Sequence, residues 1–259
     1  MNKLKELFQF IRIELCILAP FLSIAGYFLF NSFSADIIFV VLSSFFLFAG
    51  VYAYNNLTDR EEDLINRKKI NSYTLSNKGL IIVIICFLLG FIFSLFLPVL
   101  SILFSFSIVI TGMIYSFFRL KKYFLVKNFY TGFGMPQLFL LGAASLSKEV
   151  ILFYFVFSIF FFIGSLISDL RDYGGDKAVG IKTLPVYLGY VLTKRIIYFL
   201  LIGTLVFILQ LNLYILFPML IFAMIMFFFL FKDKPKMAHF YGSTSFVFLI
   251  IWLILIKIL

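Results

Sequence analysis

The sequence predicts an all-α, polytopic membrane protein with about nine transmembrane helices, and three observations carry that expectation. The 259 residues are 63% hydrophobic and only 13% charged, with a mean hydropathy of +1.11. A soluble domain of this length has more surface than so few charges can cover, so such a chain is stable where lipid is the solvent. Stretches of about 20 apolar residues, the length that crosses a bilayer, follow one another with short polar gaps. The basic residues fall almost entirely into alternate gaps, as cytoplasmic loops require.

The elements follow in order along the chain. An amphipathic lead-in, Lys3 to Phe10, precedes the first apolar stretch near Ile11. That stretch runs about 20 residues without a small-x-small cleavage site, so it is expected to remain as a first transmembrane helix and not to be removed as a signal peptide. The apolar pattern places spans at 11–31, 36–56, 79–97, 99–118, 129–146, 149–168, 189–209, 212–231 and 239–259. Pro20, Pro136 and Pro218 fall inside spans, where neighbouring helices re-satisfy the freed backbone groups. The run Gly132-Phe133-Gly134-Met135-Pro136 is the expected bend, whether it borders a cavity or only adjusts packing. No linker or soluble domain interrupts this pattern, so residues 1–259 are expected to form a single domain.

The charges fix the expected orientation. With the N-terminus in the cytoplasm, nine crossings put Lys3, Lys5 and Arg12 inside, then Arg60, Arg67, Lys68, Lys69 and Lys78, then Arg119, Lys121, Lys122 and Lys127. The fourth and fifth inside segments hold Arg171, Lys177, Lys182, Lys194 and Arg195, and Lys232, Lys234 and Lys236. Of the 22 basic residues only Lys148 and Lys257 then lie outside. A miscount by one helix would scatter them over both faces, so the expected topology is N-terminus in, C-terminus out. The net charge of +10 suits anionic headgroups. It does not indicate nucleic acid, because the bases sit in short loops beside membrane with no solvent-exposed helix or sheet to present them.

Cys16 and Cys86 both lie in apolar stretches and supply neither a disulfide framework nor a zinc spacing. His239, the single histidine, is expected to be an interfacial residue without chemistry. Any metal must therefore take oxygen ligands. More than half of the 12 acidic residues fall in two places: Asp59, Glu61, Glu62 and Asp63 after the second span, and Asp169, Asp172 and Asp176 after the sixth. Both places are cytoplasmic by this topology.

Asn55, Asp59 and Asp63 are spaced four apart and form one stripe on a continuing helix, with Asn56 bordering Asp59. Asp169, Asp172 and Asp176, spaced three then four, form another. A stripe of like charges destabilises a helix, and hard divalent cations held by carboxylate oxygens offset that cost. Acids and bases at a helix end can also act only as caps and interface markers. Matched spacing at two places, flanked by Arg67, Lys68, Lys69, Arg119, Lys121, Lys122, Arg171 and Lys182, favours a receptor for a strongly anionic ligand. Mg²⁺ commonly bridges one or two carboxylates to substrate phosphates, and a diphosphate on a lipid tail suits a wet-to-apolar boundary.

At these residues the chain resembles the UbiA family of intramembrane prenyltransferases. The family's N-D-x-x-D-x-x-x-D motif is similar to Asn55-Asn56-Leu57-Thr58-Asp59-Arg60-Glu61-Glu62-Asp63. Its D-x-x-D-x-x-x-D motif is matched by Asp169-Leu170-Arg171-Asp172-Tyr173-Gly174-Gly175-Asp176, and Lys177 to Pro185 with Gly189 resembles the usual continuation. Tyr115 and Arg119 match Y-x-x-x-K with Arg for Lys, and Asn128 resembles a polar residue that opens the fifth helix. Asn56 stands in place of the usual Asp. The loop Asn66-Arg67-Lys68-Lys69-Ile70-Asn71 lacks two prolines and carries Ile70 where the family has an Arg.

The resemblance covers essentially the whole chain, and it implies nine helices around a cavity capped by two loops and open sideways to lipid. It implies Mg²⁺ ligands at Asn55, Asp59, Asp63, Asp169, Asp172 and Asp176, with Asp59 and Asp172 needed for catalysis. Tyr115, Arg119, Lys121, Arg67, Arg171 and Lys182 are then expected to bind the prenyl diphosphate, and Asp172 to take the acceptor's proton. The opening Ile11 to Ala19 and the tail of the second motif resemble archaeal members that prenylate geranylgeranylglyceryl phosphate in ether-lipid synthesis. Aromatic acceptors of the hydroxybenzoate or naphthoate type use the same scaffold and remain open. A transporter of cations or anionic lipid is the rival from another class, although transporters place ionisable groups near the bilayer midplane and this chain places them at one face. No protein partner is expected.

Overall fold

The computed structural model of the protein describes residues 3–60 and 71–258. Twelve α-helices account for most of them: α1 Lys3–Ile11, α2 Ile13–Phe30, α3 Asp36–Thr58, α4 Asn77–Ser94, α5 Val99–Phe117, α6 Val126–Gly134, α7 Gln137–Ala143, α8 Lys148–Val179, α9 Leu184–Leu188, α10 Tyr190–Gln210, α11 Phe217–Phe231 and α12 Pro235–Ile258. No strand occurs among the described residues. Among the described residues eight helices are long and apolar enough to cross a membrane: α2, α3, α4, α5, α8, α10, α12, and α11 together with the 3₁₀ turn that leads into it. The polytopic all-α class is therefore as expected.

Two spans differ from the sequence pattern. The fifth, expected over 129–146, is divided into α6 and α7 around Met135 and Pro136. Proline has no N–H to donate and its ring crowds the preceding turn, so the bend falls where the Gly-Phe-Gly-Met-Pro run places it. The sixth, expected to end at 168, runs on to Val179. Hydropathy stops at Ser168, but nothing after it breaks a helix: Gly174 and Gly175 lower helix propensity without ending the hydrogen-bond ladder. The second acidic motif therefore lies on a helix, not in a loop. The stop is Gly180, at φ 75, with the Ile181 N–H donating to the Asp176 carbonyl at 2.9 Å. This left-handed closure satisfies a terminal carbonyl and suits a residue without Cβ.

The helices pack as two compact units, one of residues 1–120 with 137–150 and one of residues 121–136 with 151–259. In the first unit α3 packs most extensively on α4 and also meets α2 and α5, while α7 lies against α2. Lipid gives no hydrophobic drive to such contacts, so they depend on close approach and hydrogen bonds. Gly26 and Gly142 supply the approach: a Cβ on Gly26 would stand 2.1 Å from the Phe139 carbonyl oxygen, and one on Gly142 1.8 Å from that of Ser23. The Ser101 hydroxyl donates to the Leu141 carbonyl at 2.7 Å, Ser43 to Gly90 at 3.0 Å, and the Asn31 amide to Gly142 at 3.2 Å.

In the second unit α11 pairs with α12, and α10 lies on α11. The Phe246 ring of α12 meets Phe157 and Phe161 of α8 at 5.9 and 4.9 Å. α6 approaches α8 at Gly132, where a Cβ would reach the Phe162 side chain at 3.0 Å, and the Phe129 and Phe162 rings lie 5.0 Å apart. Large apolar side chains such as Val99, Phe106, Phe199 and Phe228 are exposed. On a membrane protein these are the faces that lipid solvates.

Candidate functional site

The first acidic motif lies at the C-terminal end of α3. The helix ends at Thr58, and Asp59 caps it, its N–H donating to the Asn55 carbonyl at 2.9 Å. One turn separates the two side chains, so they face the same way, and the Asn55 amide donates to Asp59 Oδ2 at 3.0 Å. The Ser116 hydroxyl of α5 donates to Asn55 Oδ1 at 3.2 Å. Asn55 is therefore held from both ends, and Asp59 is buried. Sequence spacing had paired Asn55 with Asp59; it had no means of finding Ser116, which lies 61 residues away.

The other expected residues of this part of the chain are divided. Tyr115 sits on the last turns of α5 and is half-buried. Arg119 follows the helix end at φ 50, its N–H donating to the Ser116 carbonyl at 3.2 Å. Lys121 lies in the 3₁₀ turn that comes next. Asp63 and Arg67 lie outside the described residues.

Asn56, three residues before Asp59, turns its amide to partners outside the motif. Its amide donates to the Phe10 carbonyl at 2.5 Å, and its oxygen accepts from Arg12 Nη2 at 3.2 Å. Phe10 is fully buried at the end of α1, and Arg12, at φ 53, breaks α1 from α2. Asn56 thus satisfies one of the terminal carbonyls that a helix end leaves unpaired. A carboxylate in its place has no N–H to donate there. The same short helix receives the chain after residue 70: the Asn71 amide donates to the Glu6 carbonyl at 2.7 Å, the Ser72 hydroxyl donates to the Glu6 carboxylate, and the Phe10 and Tyr73 rings lie 5.8 Å apart. Asn56→Ala leaves a buried carbonyl unpaired, at about 1–3 kcal/mol. The expected result is faster hydrogen–deuterium exchange across residues 3–11, with exchange in α10 unchanged.

The second motif presents its three acids differently. Asp172 is exposed and pairs with its neighbour, Arg171 donating through Nε at 2.8 Å and Nη2 at 2.7 Å. Arg171, expected to bind substrate, is thus engaged with a motif carboxylate. Asp176 is half-buried on the next turn, and Lys182 is exposed just past the helix end. Asp169 is only 1% exposed and turns toward α6. Lys127 Nζ pairs with its Oδ1, and Asn128 Nδ2 donates to its Oδ2 at 2.9 Å and to Ser165 Oγ at 2.9 Å. Neither Lys127 nor Asn128 was among the expected site residues. Their signal in the sequence was a charged and a polar residue, adjacent, where an apolar span opens.

The donors are all hard oxygens, which suits Mg²⁺ and not a soft metal. Among the described residues no three acidic, His or Cys side chains gather into a closed metal cage. Asn55 with Asp59, and separately Asp169, Asp172 and Asp176, are the groups that offer the oxygens Mg²⁺ takes.

Three comparisons bear on this arrangement. A sequence profile of the UbiA prenyltransferase family matches residues 16–255. A protein of Methanocaldococcus jannaschii named digeranylgeranylglyceryl phosphate synthase is 30% identical over 209 residues, covering 77% of this chain and 71% of that protein. A Methanococcus aeolicus protein of the same name is 29% identical over 199 residues, covering 72% and 70%. Among solved structures, a UbiA homolog from Archaeoglobus fulgidus bound to DMAPP and Mg²⁺ superimposes with a TM-score of 0.77 at 17% identity, covering 98% of this chain and all of the other. A digeranylgeranylglyceryl phosphate synthase structure gives 0.74 at 20% identity, covering 98% of both.

Proposed function

This chain belongs to the UbiA prenyltransferase family, and from that premise we propose that it transfers a prenyl group from a prenyl diphosphate to a glyceryl phosphate lipid, with Mg²⁺ as cofactor. The observation that carries the proposal is the pair of oxygen-donor sets at helix ends, Asn55 with Asp59 on α3 and Asp172 with Asp176 on α8. Solved relatives of the same fold bind DMAPP or GPP together with Mg²⁺, which supports both donor and metal.

The residues divide the work as follows. Asn55, Asp59 and Asp63 would hold one Mg²⁺, and Asp169, Asp172 and Asp176 the other. Bound Mg²⁺ supplies the positive charge that a departing diphosphate requires. The Tyr115 hydroxyl and the Arg119, Lys121, Arg67 and Lys182 cations would each offer donors to diphosphate oxygens, and such donors favour the state in which charge has grown on the leaving group. Asp172 accepts the acceptor's proton as the new C–O bond forms; its exposure leaves it within reach of a substrate hydroxyl. The acidic motifs and the N-terminus lie on the cytoplasmic side, as the asymmetry of Lys and Arg supports.

The glyceryl phosphate acceptor rests on the two archaeal relatives named for it. Purified protein in nanodiscs with labelled geranylgeranyl diphosphate tests it against a panel of acceptors. Label is expected to enter geranylgeranylglyceryl phosphate, with one diphosphate released per transfer and all turnover lost in EDTA. Transfer to hydroxybenzoate or a naphthoate alone would overturn the acceptor. Cation flux in proteoliposomes without diphosphate release would overturn the enzyme.

A further inference from the structure

Asp169 differs from the other acids of its motif in having both carboxylate oxygens satisfied by residues outside the motif. Its side chain is 1% exposed, with Lys127 Nζ at Oδ1 and Asn128 Nδ2 at Oδ2. Asn128, itself 2% exposed, spends its second N–H on Ser165 Oγ, so its amide is fixed and cannot turn away without losing a buried bond. Lys127 is different: its side chain is 31% exposed, and its four-carbon stem makes the ammonium a movable point charge.

A buried carboxylate without a cation is strongly disfavoured. Something must therefore balance Asp169 whenever no metal is present, and Lys127 does so. A divalent ion at the same oxygen would stand within a few ångströms of the ammonium, where two cations in a poorly solvated site repel. Both cannot occupy Oδ1.

We infer that Lys127 is the resident cation of Asp169, and that a divalent ion reaches this carboxylate only by displacing the Lys127 ammonium. The inference rests on the metal role proposed above for the second motif. It makes Lys127 a positioning residue: it holds the buried Asp169 carboxylate aimed in the metal-free protein, and it weakens metal binding at that carboxylate until it swings out. Asn128 stays and holds the other oxygen through the exchange.

Direct Mn²⁺ titration of the full chain in nanodiscs, read from the free Mn²⁺ spin-resonance signal without substrate, tests this. Lys127→Met removes the competitor and is expected to tighten Mn²⁺ binding by about tenfold or more, since breaking a buried charge pair acts on at least that scale. Lys177→Met removes an exposed lysine beside Asp176 and is expected to change affinity less than twofold, which separates displacement from a general change of charge. Asp169→Asn preserves the acceptor for Lys127 but removes the carboxylate, and is expected to weaken Mn²⁺ binding about tenfold. This variant keeps the test decisive if Lys127→Met does not fold. Unchanged affinity in Asp169→Asn, or equal effects of Lys127→Met and Lys177→Met, overturns the exchange. Failure of the unaltered protein to bind Mn²⁺ at all would instead overturn the metal role itself.

Discussion

Asp59→Ala and Asp172→Ala are each expected to reduce Mg²⁺-dependent diphosphate release by about 100-fold or more while the protein stays folded. The magnitude follows from the several kcal/mol that metal charge contributes to a departing anion, at about 1.4 kcal/mol per tenfold in rate. The two variants differ in what else they disturb. Asp59 is buried and accepts from the Asn55 amide, so its loss strands a donor and costs about 1 kcal/mol of stability as well. Asp172 is exposed and paired with the adjacent Arg171, and exposed pairs contribute about 0–1 kcal/mol. Its removal is thus expected to leave the melting temperature nearly unchanged, so that lost turnover reports on chemistry alone. Release assays at saturating prenyl diphosphate, with and without Mg²⁺, read the effect. Full turnover in either variant would remove that residue from the metal site.

Gly142→Ala is expected to destabilise the first unit by about 3 kcal/mol or more, at the upper end of what overpacking costs. The added methyl would lie 1.8 Å from the Ser23 carbonyl oxygen and 2.7 Å from its carbon. Both are backbone atoms of α2, and neither can rotate out of the way. Relief requires α2 and α7 to separate, which also stretches the Asn31 bonds to the Gly142 and Ala143 carbonyls. Separation further disturbs the Ser23–Ser44 hydroxyl contact at 3.0 Å between α2 and α3. Gly203→Ala on α10 is the control: apart from the local backbone of its own helix, nothing lies within 4 Å of the added Cβ there, and alanine is the better helix former by about 1 kcal/mol. Thermal denaturation in detergent, followed by loss of the monodisperse chromatographic peak, should separate the two by several degrees. Equal melting temperatures would show that the α2–α7 crossing relaxes freely.

Much of the site was legible because its signals are local. Asn55 and Asp59 are one turn apart, and a helix carries such residues onto one face whatever surrounds it. Asp169, Asp172 and Asp176 were grouped by the same arithmetic. That spacing could not reveal their inequality. Asp169 is caged by residues 41 and 42 positions away, Asp172 is held by its neighbour, and only the rotation of α8 against α6 decides which is which. The partners of Asn56 escaped spacing for a similar reason. Helix periodicity puts it near Asp59, but the carbonyls at the end of α1 offered its amide a buried partner that no sequence rule connects to position 56.

The sequence by itself determined that this protein lives in lipid, where its apolar spans begin and end to within a turn or so in most cases, and which oxygen donors sit at the ends of its second and sixth spans. Hydropathy and 3.6-residue periodicity are properties of adjacent residues, and the bilayer enforces them regardless of tertiary contacts. The tertiary structure alone decided that Asn56 fastens α1 and that Lys127 and Asn128 hold Asp169. Each of these depends on how closely and at what rotation two helices meet. Glycines such as Gly142 and Gly132 set that approach through the volume they leave empty, and an absent side chain does not name its neighbour.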